Sequence, residues 1–102
     1  MNTVIQHDLY RYNGRKNILK GLKSPGFRYT YIFRQLQNAA KYSPKWFVFK
    51  FLKRRYTFKY GFQIPVETKI GKGFYIGHFG TIIINSEATI GDYCNIGPNV
   101  VI

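Results

Sequence analysis

One histidine has the residue type and the setting for proton transfer. His78 stands third in the run Ile76-Gly77-His78-Phe79-Gly80-Thr81. An imidazole that titrates near neutral pH can serve as a general base. Position alone favours a simpler interpretation of His78, which is an exposed polar side chain at a turn.

The other reactive residue types indicate structural or solvated positions. We assign His7 to a short helix, Cys94 to an inward position that suits a small side chain, and Asp92 and Glu87 to outward positions. The sequence has no Ser–His–Asp arrangement, phosphate loop or cluster of metal ligands, so we expect no metal. A single cysteine excludes an internal disulfide framework and favours a reducing compartment.

The residues that must position His78 repeat in sixes from residue 64 onward. Each unit opens with an aliphatic residue: Ile64, Ile70, Ile76, Ile84, Ile90, Ile96 and Ile102. A small or turn-forming residue comes second: Pro65, Gly71, Gly77, Asn85, Gly91 and Gly97. The fifth residue is mostly small or apolar, and the phase slips by two residues after Ile82.

Hexads of this kind predict a parallel β-helix, in which three hexads form one coil of a triangular prism. The opening isoleucine points inward and stacks on that of the next coil, burying apolar area worth about 25 cal/mol per Å². We expect the glycine in second place to have a backbone at or near positive φ. Two coils are present, 64–81 and 84–101, whereas solenoids need about three. We therefore expect a truncated chain, or partner subunits that complete the burial.

The first sixty residues are predicted to be helical. Ser24-Pro25 and Ser43-Pro44 each combine a capping serine with proline at the first helical position. The first of these helices has apolar residues at spacings of three and four: Tyr29, Ile32, Phe33, Leu36 and Ala40. In the second helix a spacing of four joins Val48, Leu52, Tyr56 and Tyr60. Its last turn is left open, because aromatic residues alternate from Tyr56 to Phe62 as in a strand. A shorter helix is predicted around Ile5, Leu9 and Tyr12.

Charge divides the chain at the same place. Residues 1–60 carry fourteen of the 16 Lys and Arg residues and one acid, and residues 61–102 carry two bases and three acids. We first expect a packed helical region with a solvated cationic face. An anionic membrane surface or lipid-linked substrate is the second interpretation, and nucleic acid is the third.

No apolar run has the roughly 18 residues of a membrane span, and no secretory signal is recognised. We expect a cytoplasmic protein, peripheral to the inner face of the membrane if it binds there.

The hexad region resembles the hexapeptide acyltransferases. The likeness is carried by I-G-K-G-F-Y-I-G-H-F-G-T-I-I-I-N and I-G-D-Y-C-N-I-G-P-N-V-V-I. The chain looks most like the serine O-acetyltransferase-like proteins, including those of capsule and exopolysaccharide gene clusters. Ser24-Pro25-Gly26-Phe27 and Lys59-Tyr60-Gly61 are similar to the helical region of that family, so the likeness covers residues 24–102.

The resemblance implies a fold and an activity. The fold is α+β, with helices in residues 1–60 followed by the first coils of a left-handed parallel β-helix in residues 61–102. The implied protein is a homotrimer with active sites between subunits and acetyl-CoA as the donor. The family's catalytic histidine falls on His78, which would take the proton from an acceptor hydroxyl that attacks the thioester directly.

Two departures from the family bear on substrate and donor. The aspartate that the family carries shortly before its first hexads falls on Gln63, which can hydrogen-bond but cannot offset the charge of an imidazolium. Gln63 is therefore the expected substrate-binding residue, with a sugar hydroxyl favoured over serine as acceptor. The later coils that supply much of the family's CoA site are missing, so no CoA-binding residue is assigned and an inactive fragment is the alternative.

Overall fold

Helices and short parallel strands together build the described part of the chain. A computed structural model describes residues 3–12, 18–77, 80–97 and 99–102. Its helices are α1 (Thr3–Tyr10), α2 (Ile18–Gly21), α3 (Pro25–Asn38) and α4 (Pro44–Tyr60). Its strands are β1 (Phe62–Gln63), β2 (Lys69–Ile70), β3 (Tyr75–Ile76), β4 (Ile82–Ile83), β5 (Thr89–Ile90), β6 (Asn95–Ile96) and β7 (Val100–Val101). This content is consistent with the expected α+β class.

Both serine–proline pairs begin helices, as predicted. Proline opens α3 and α4, where its missing N–H costs no helical hydrogen bond. The hydroxyl of Ser43 accepts a hydrogen bond from the Trp46 amide at 3.2 Å, whereas the Ser24 side chain makes no capping bond. α4 continues through Tyr60 and ends at Gly61, whose φ of 80° is a left-handed conformation open to glycine. The helical alternative for the last turn of α4 is therefore confirmed.

The strands form three separate parallel sheets. The chain visits the sheets in turn, so that β1, β4 and β7 share one, β2 and β5 the second, and β3 and β6 the third. Ile82 pairs with Phe62, twenty residues earlier, and with Val100, eighteen residues later. The two extra residues of the first return are the slip in hexad phase that the sequence predicts.

The isoleucines that open the hexads form the core of the strand region. The sheet register places Ile70 beside Ile90 and Ile76 beside Ile96. Five of these isoleucines are buried in one cluster: Ile64, Ile76, Ile84, Ile90 and Ile96. Ile70 is half-buried and Ile102 is exposed. The inward orientation is confirmed for the five buried residues.

The helical region contributes to the same core. Tyr29 and Phe33 of α3 and Tyr60 of α4 are buried with the isoleucines. The ring of Phe62 meets Tyr29 edge to face, with centroids 5.2 Å apart, and meets Tyr60 at 5.5 Å. A second cluster holds α1 against α3: Ile5, Leu9, Tyr12 and Phe27. The helices and the strands therefore share buried surface, and the division near residue 60 stays a prediction.

The prediction of a positive φ at the second hexad position is wrong. Gly71 and the other glycines in second place have no positive φ, which falls instead at the fourth position, on Gly73 (74°), Tyr93 (57°) and Asn99 (61°). A four-residue turn that starts at the second position carries its positive φ two residues later. The residue with the left-handed backbone at each of these corners is therefore the fourth of the hexad and not the second.

Close approach between coils explains the glycine at position 71. A Cβ built on Gly71 would lie 2.2 Å from Asp92 Oδ1 and 2.8 Å from the Asp92 amide nitrogen. The same Asp92 Oδ1 accepts a hydrogen bond from the Lys72 amide at 3.1 Å. A Cβ on Gly91, one coil further along, would have nothing within 4 Å. The requirement for glycine at position 71 thus comes from the coil stacked against it.

Gly71→Ala is expected to lower the free energy of unfolding by about 1–3 kcal/mol, because the crowded atoms of Asp92 include backbone. Gly91→Ala is the matched control and should change the free energy of unfolding by less than about 0.5 kcal/mol. Urea denaturation followed by circular dichroism measures both values. Equal losses in the two variants would contradict the stacking explanation.

Candidate functional site

The candidate catalytic histidine belongs to the connection between β3 and β4. His78 itself lies outside the described residues, which resume at Gly80. On the near side, the Gly77 amide donates a hydrogen bond to the Ile96 carbonyl at 3.4 Å. The position of β3, which ends at Ile76, therefore sets where the segment that carries His78 begins.

Tyr12 holds the backbone of Ile76 at both of its polar groups. The Tyr12 hydroxyl accepts a hydrogen bond from the Ile76 amide at 2.9 Å and donates one to the Ile76 carbonyl at 3.3 Å. Burial raises the pKa of the Tyr12 phenol above its ordinary value, so the hydroxyl keeps the proton that it donates. The ring of Tyr75 packs against that of Tyr12 with centroids 4.7 Å apart. The residue just after α1 thus positions the strand that leads to His78.

A buried ion pair connects α1 and α3 to the turn between β2 and β3. Arg34 Nε lies 2.9 Å from Asp8 Oδ2, and this is the one ion pair within the described ranges. The remaining Arg34 nitrogens donate to the Ile70 carbonyl at 2.7 Å and to the Gly71 carbonyl at 2.6 Å. Asp8 Oδ1 also accepts from the Phe74 amide at 2.9 Å. Burial raises the pKa of Asp8, and the Arg34 guanidinium and the backbone amides partly oppose that rise.

Gln63, the expected substrate-binding residue, is exposed on β1, an edge strand of the β1–β4–β7 sheet. It pairs with Ile83, and its carbonyl accepts a hydrogen bond from the Ile84 amide at 2.9 Å. It lines a surface depression of about 550 Å³ together with Lys53 and Phe58 of α4. Gln63 is therefore accessible to a ligand, with α4 as the facing wall.

An adjoining depression of about 730 Å³ has a cationic lining. Lys41, Lys50, Lys53 and Arg54 contribute to it, with Glu67 as its acid. Burial lowers the pKa of the Lys53 ammonium, and the negative charge of Glu67 partly opposes that effect. A concave surface with this balance of charge attracts phosphate or carboxylate groups.

The other reactive residues occupy the positions predicted for them. Cys94 is half-buried and packs against the isoleucine cluster. Asp92 and Glu87 are exposed. His7 lies in α1, with its Nδ1 3.2 Å from the Tyr93 hydroxyl, so it joins that helix to the outer turn of a hexad.

Asp8 and Arg34 were not identified as a positioning pair from the sequence, although Asp8 carried a usable signal. It is the only acid in residues 1–60, and it lies on the apolar side of α1, next to Leu9 and three residues after Ile5. An acid in that setting needs a buried cation as partner. Nothing in the sequence distinguishes Arg34 from the thirteen other bases of residues 1–60.

Metal-ligand clusters and membrane-spanning helices do not occur among the residues that the structure describes. No group of three or more His, Cys, Asp or Glu side chains is placed to hold an ion. No helix there combines the length and the apolar character needed to cross a bilayer.

Comparison with protein-family models, with curated proteins and with solved structures found no match.

Proposed function

We propose that this chain is an acetyl-CoA-dependent O-acetyltransferase that acts on a sugar hydroxyl in surface-polysaccharide biosynthesis. The observation that carries the proposal is the parallel return of the hexads, in which β3, two residues before His78, pairs with β6. This stacking of isoleucine-led sixes supports a parallel β-helix. We take it to be left-handed, as in the hexapeptide acyltransferases that the sequence resembles.

The exposure of equivalent residues supports the placement of His78 outside the prism. His78 is third in its hexad, and among the described third residues of the other hexads Lys72, Ser86 and Asp92 are exposed and Val66 is half-buried. A third-position imidazole would accordingly face substrate rather than the isoleucine core. Tyr12, through its two hydrogen bonds to Ile76, would hold the preceding strand in a fixed place during the reaction.

The proposed reaction is a direct transfer. The His78 imidazole takes the proton of the acceptor hydroxyl, and the acceptor oxygen attacks the thioester carbonyl of acetyl-CoA. The new C–O bond forms, the C–S bond breaks, and the CoA thiolate leaves and takes the proton from the His78 imidazolium, which returns the base to its neutral form. No acyl-enzyme is needed, in keeping with the position of the only cysteine, Cys94, against the isoleucine cluster.

The acceptor and the assembly follow from the resemblance and from Gln63. An amide at this position can hydrogen-bond a sugar hydroxyl but supplies no negative charge, which favours a sugar over serine. Serine remains the alternative acceptor. The proposed enzyme is a homotrimer with sites between subunits, and it works in the cytoplasm, where acetyl-CoA is available.

The proposal is tested by incubating the chain with acetyl-CoA and a panel of glycans and serine, and by measuring acetylated acceptor by mass spectrometry. We expect acetyl transfer to at least one glycan. His78→Ala should lower kcat by about 10²–10⁴-fold, the usual contribution of a general base.

His7→Gln is the matched control, because His7 is the other histidine of the chain and contacts Tyr93, in the turn between β5 and β6. Its rate should equal that of the wild type. Full activity in His78→Ala would remove the mechanism, faster transfer to serine would establish the alternative acceptor, and acetylation of none of the acceptors would overturn the enzymatic proposal.

A further inference from the structure

The helix α4 exposes an aromatic stripe to solvent. Phe47, Phe51 and Phe58 have 55%, 66% and 76% of their surface exposed. Successive helical residues are about 100° apart, so these three side chains fall within about 40° of one another. Only Tyr60 is buried among the 17 residues of α4. A row of exposed phenylalanines of this kind marks an interaction surface.

Cations border the stripe on both sides. Arg55 and Lys59 lie on one side, and Arg54 and Lys50 lie on the other, by the same helical spacing. The Arg54 guanidinium is 5.9 Å from the centroid of the Phe58 ring. The helix holds six Lys and Arg residues and no acid, at positions 45, 50, 53, 54, 55 and 59. None of the six forms an ion pair within the described part of the chain.

Amphipathic aromatic rings gather at the first turn of α4. The Trp46 ring packs edge to face on Phe47 with centroids 4.9 Å apart, and on Tyr42 at 5.2 Å. The Lys50 ammonium lies 4.5 Å from the centroid of the Trp46 ring. Tryptophan and tyrosine with cations beside them are the side chains that favour the boundary between lipid headgroups and acyl chains.

We propose that α4 docks on an anionic phospholipid surface, with Phe47, Phe51 and Phe58 inserted between headgroups and the flanking Lys and Arg side chains bound to lipid phosphates. Helices with an aromatic face and a cationic border bind membranes in this way, lying in the plane of the interface. The long cationic side chains reach outward while the rings go inward. This inference does not depend on acetyl transfer.

Charge complementarity favours a lipid surface over the other occupants. A second copy of α4 would bring another six cations and no acid against the first, which is repulsive. A duplex nucleic acid has phosphates for the cations but no apolar layer that would bury three exposed phenylalanine side chains. A mixed lipid surface offers both an apolar layer for the rings and phosphates at its edge.

The test uses the single tryptophan, Trp46, as a fluorescent reporter at the edge of the stripe. The full chain is titrated with vesicles of phosphatidylcholine alone and of phosphatidylcholine mixed with phosphatidylserine, at physiological salt. We expect a blue shift and binding with the mixed vesicles only. Phe51→Ser and Phe58→Ser should each weaken binding about tenfold, and Arg55→Gln about fivefold.

Val101→Ser is the matched control for the apolar changes, because Val101 is equally exposed but lies on β7. Lys72→Gln is the control for charge, and both controls should bind as the wild type does. Circular dichroism verifies that each variant is folded. Equal binding to both vesicle types, unchanged binding of the phenylalanine variants, or tighter binding to duplex DNA than to mixed vesicles would each overturn the proposal. So would vesicle-independent self-association that Phe51→Ser abolishes.

Discussion

Arg34→Met is expected to lower the free energy of unfolding by about 3–5 kcal/mol at neutral pH, because it leaves the Asp8 carboxylate buried without its cation. The change also removes the donors to the Ile70 and Gly71 carbonyls. Small domains have a total free energy of unfolding of only about 5–15 kcal/mol, so this loss removes a large share of it. Urea denaturation followed by circular dichroism measures it.

The pH dependence of this loss separates an electrostatic cause from a packing defect. The folded-state pKa of Asp8 already lies above its ordinary value of 3.8. A raised pKa means that stability is full below pH 3.8 and falls as pH rises through the folded-state pKa. Without Arg34, which lowers that pKa, the fall continues to higher pH and its total is larger. The deficit of Arg34→Met should therefore be largest near neutral pH and shrink on acidification.

The double variant Asp8→Asn/Arg34→Met is the control for this prediction. It removes both charges. The side-chain oxygen of an asparagine at position 8 can still accept the hydrogen bond that the Phe74 amide donates to Asp8. We expect it to be more stable than Arg34→Met at neutral pH and to lack the added pH dependence. A deficit in Arg34→Met that is the same at every pH, or a double variant that is less stable still, would show that lost packing dominates.

Local rules were sufficient to predict the helix starts and the hexad core. The serine–proline pairs act within one turn, so Ser43 and its neighbours specify their own helix end whatever lies around them. The isoleucines recur at a fixed interval, and the two-residue slip after Ile82 could be read directly from that interval. Such features need only information from neighbouring residues, which a sequence displays in full.

Features that depend on distant partners could not be read in the same way. The Asp8–Arg34 pair joins residues that are 26 positions apart, and the bonds of Tyr12 to Ile76 span 64. In α4 the row at spacing four runs from exposed Val48 through half-buried Leu52 and Tyr56 to buried Tyr60, so only its C-terminal end reaches the core. Which face of an aromatic helix is buried depends on what packs against it, and the helix sequence alone does not contain that information.

The second large effect concerns Gly26, where α3 touches the strand that leads to His78. A Cβ built on Gly26 would lie 2.2 Å from the Ile76 carbonyl oxygen and 2.7 Å from the Tyr12 hydroxyl. The first of these contacts is with backbone, which cannot rotate away as a side chain can. Gly26 therefore allows the helix and β3 to come together with only hydrogen atoms between them.

Gly26→Ala should lower the free energy of unfolding by about 2 kcal/mol, as about 3 kcal/mol of overpacking is offset by about 1 kcal/mol from alanine's better helix propensity. The larger effect is expected on the proposed acetyl transfer. Relief of the clash moves Ile76, and a displacement of about 1 Å at a catalytic group can cost about 10²-fold in rate. Measurement of kcat well below the unfolding transition separates this effect from loss of folded protein.

Gly91→Ala is again the control, because a Cβ at that position meets nothing within 4 Å. It should retain both stability and acetyl transfer. If Gly26→Ala is as stable as the wild type, α3 is free to shift away from β3 and the contact at Ile76 is not a constraint. If it is destabilised but transfers acetyl groups at the normal rate, the strand before His78 can move without consequence, and Tyr12 and Gly26 hold the fold rather than the catalytic site.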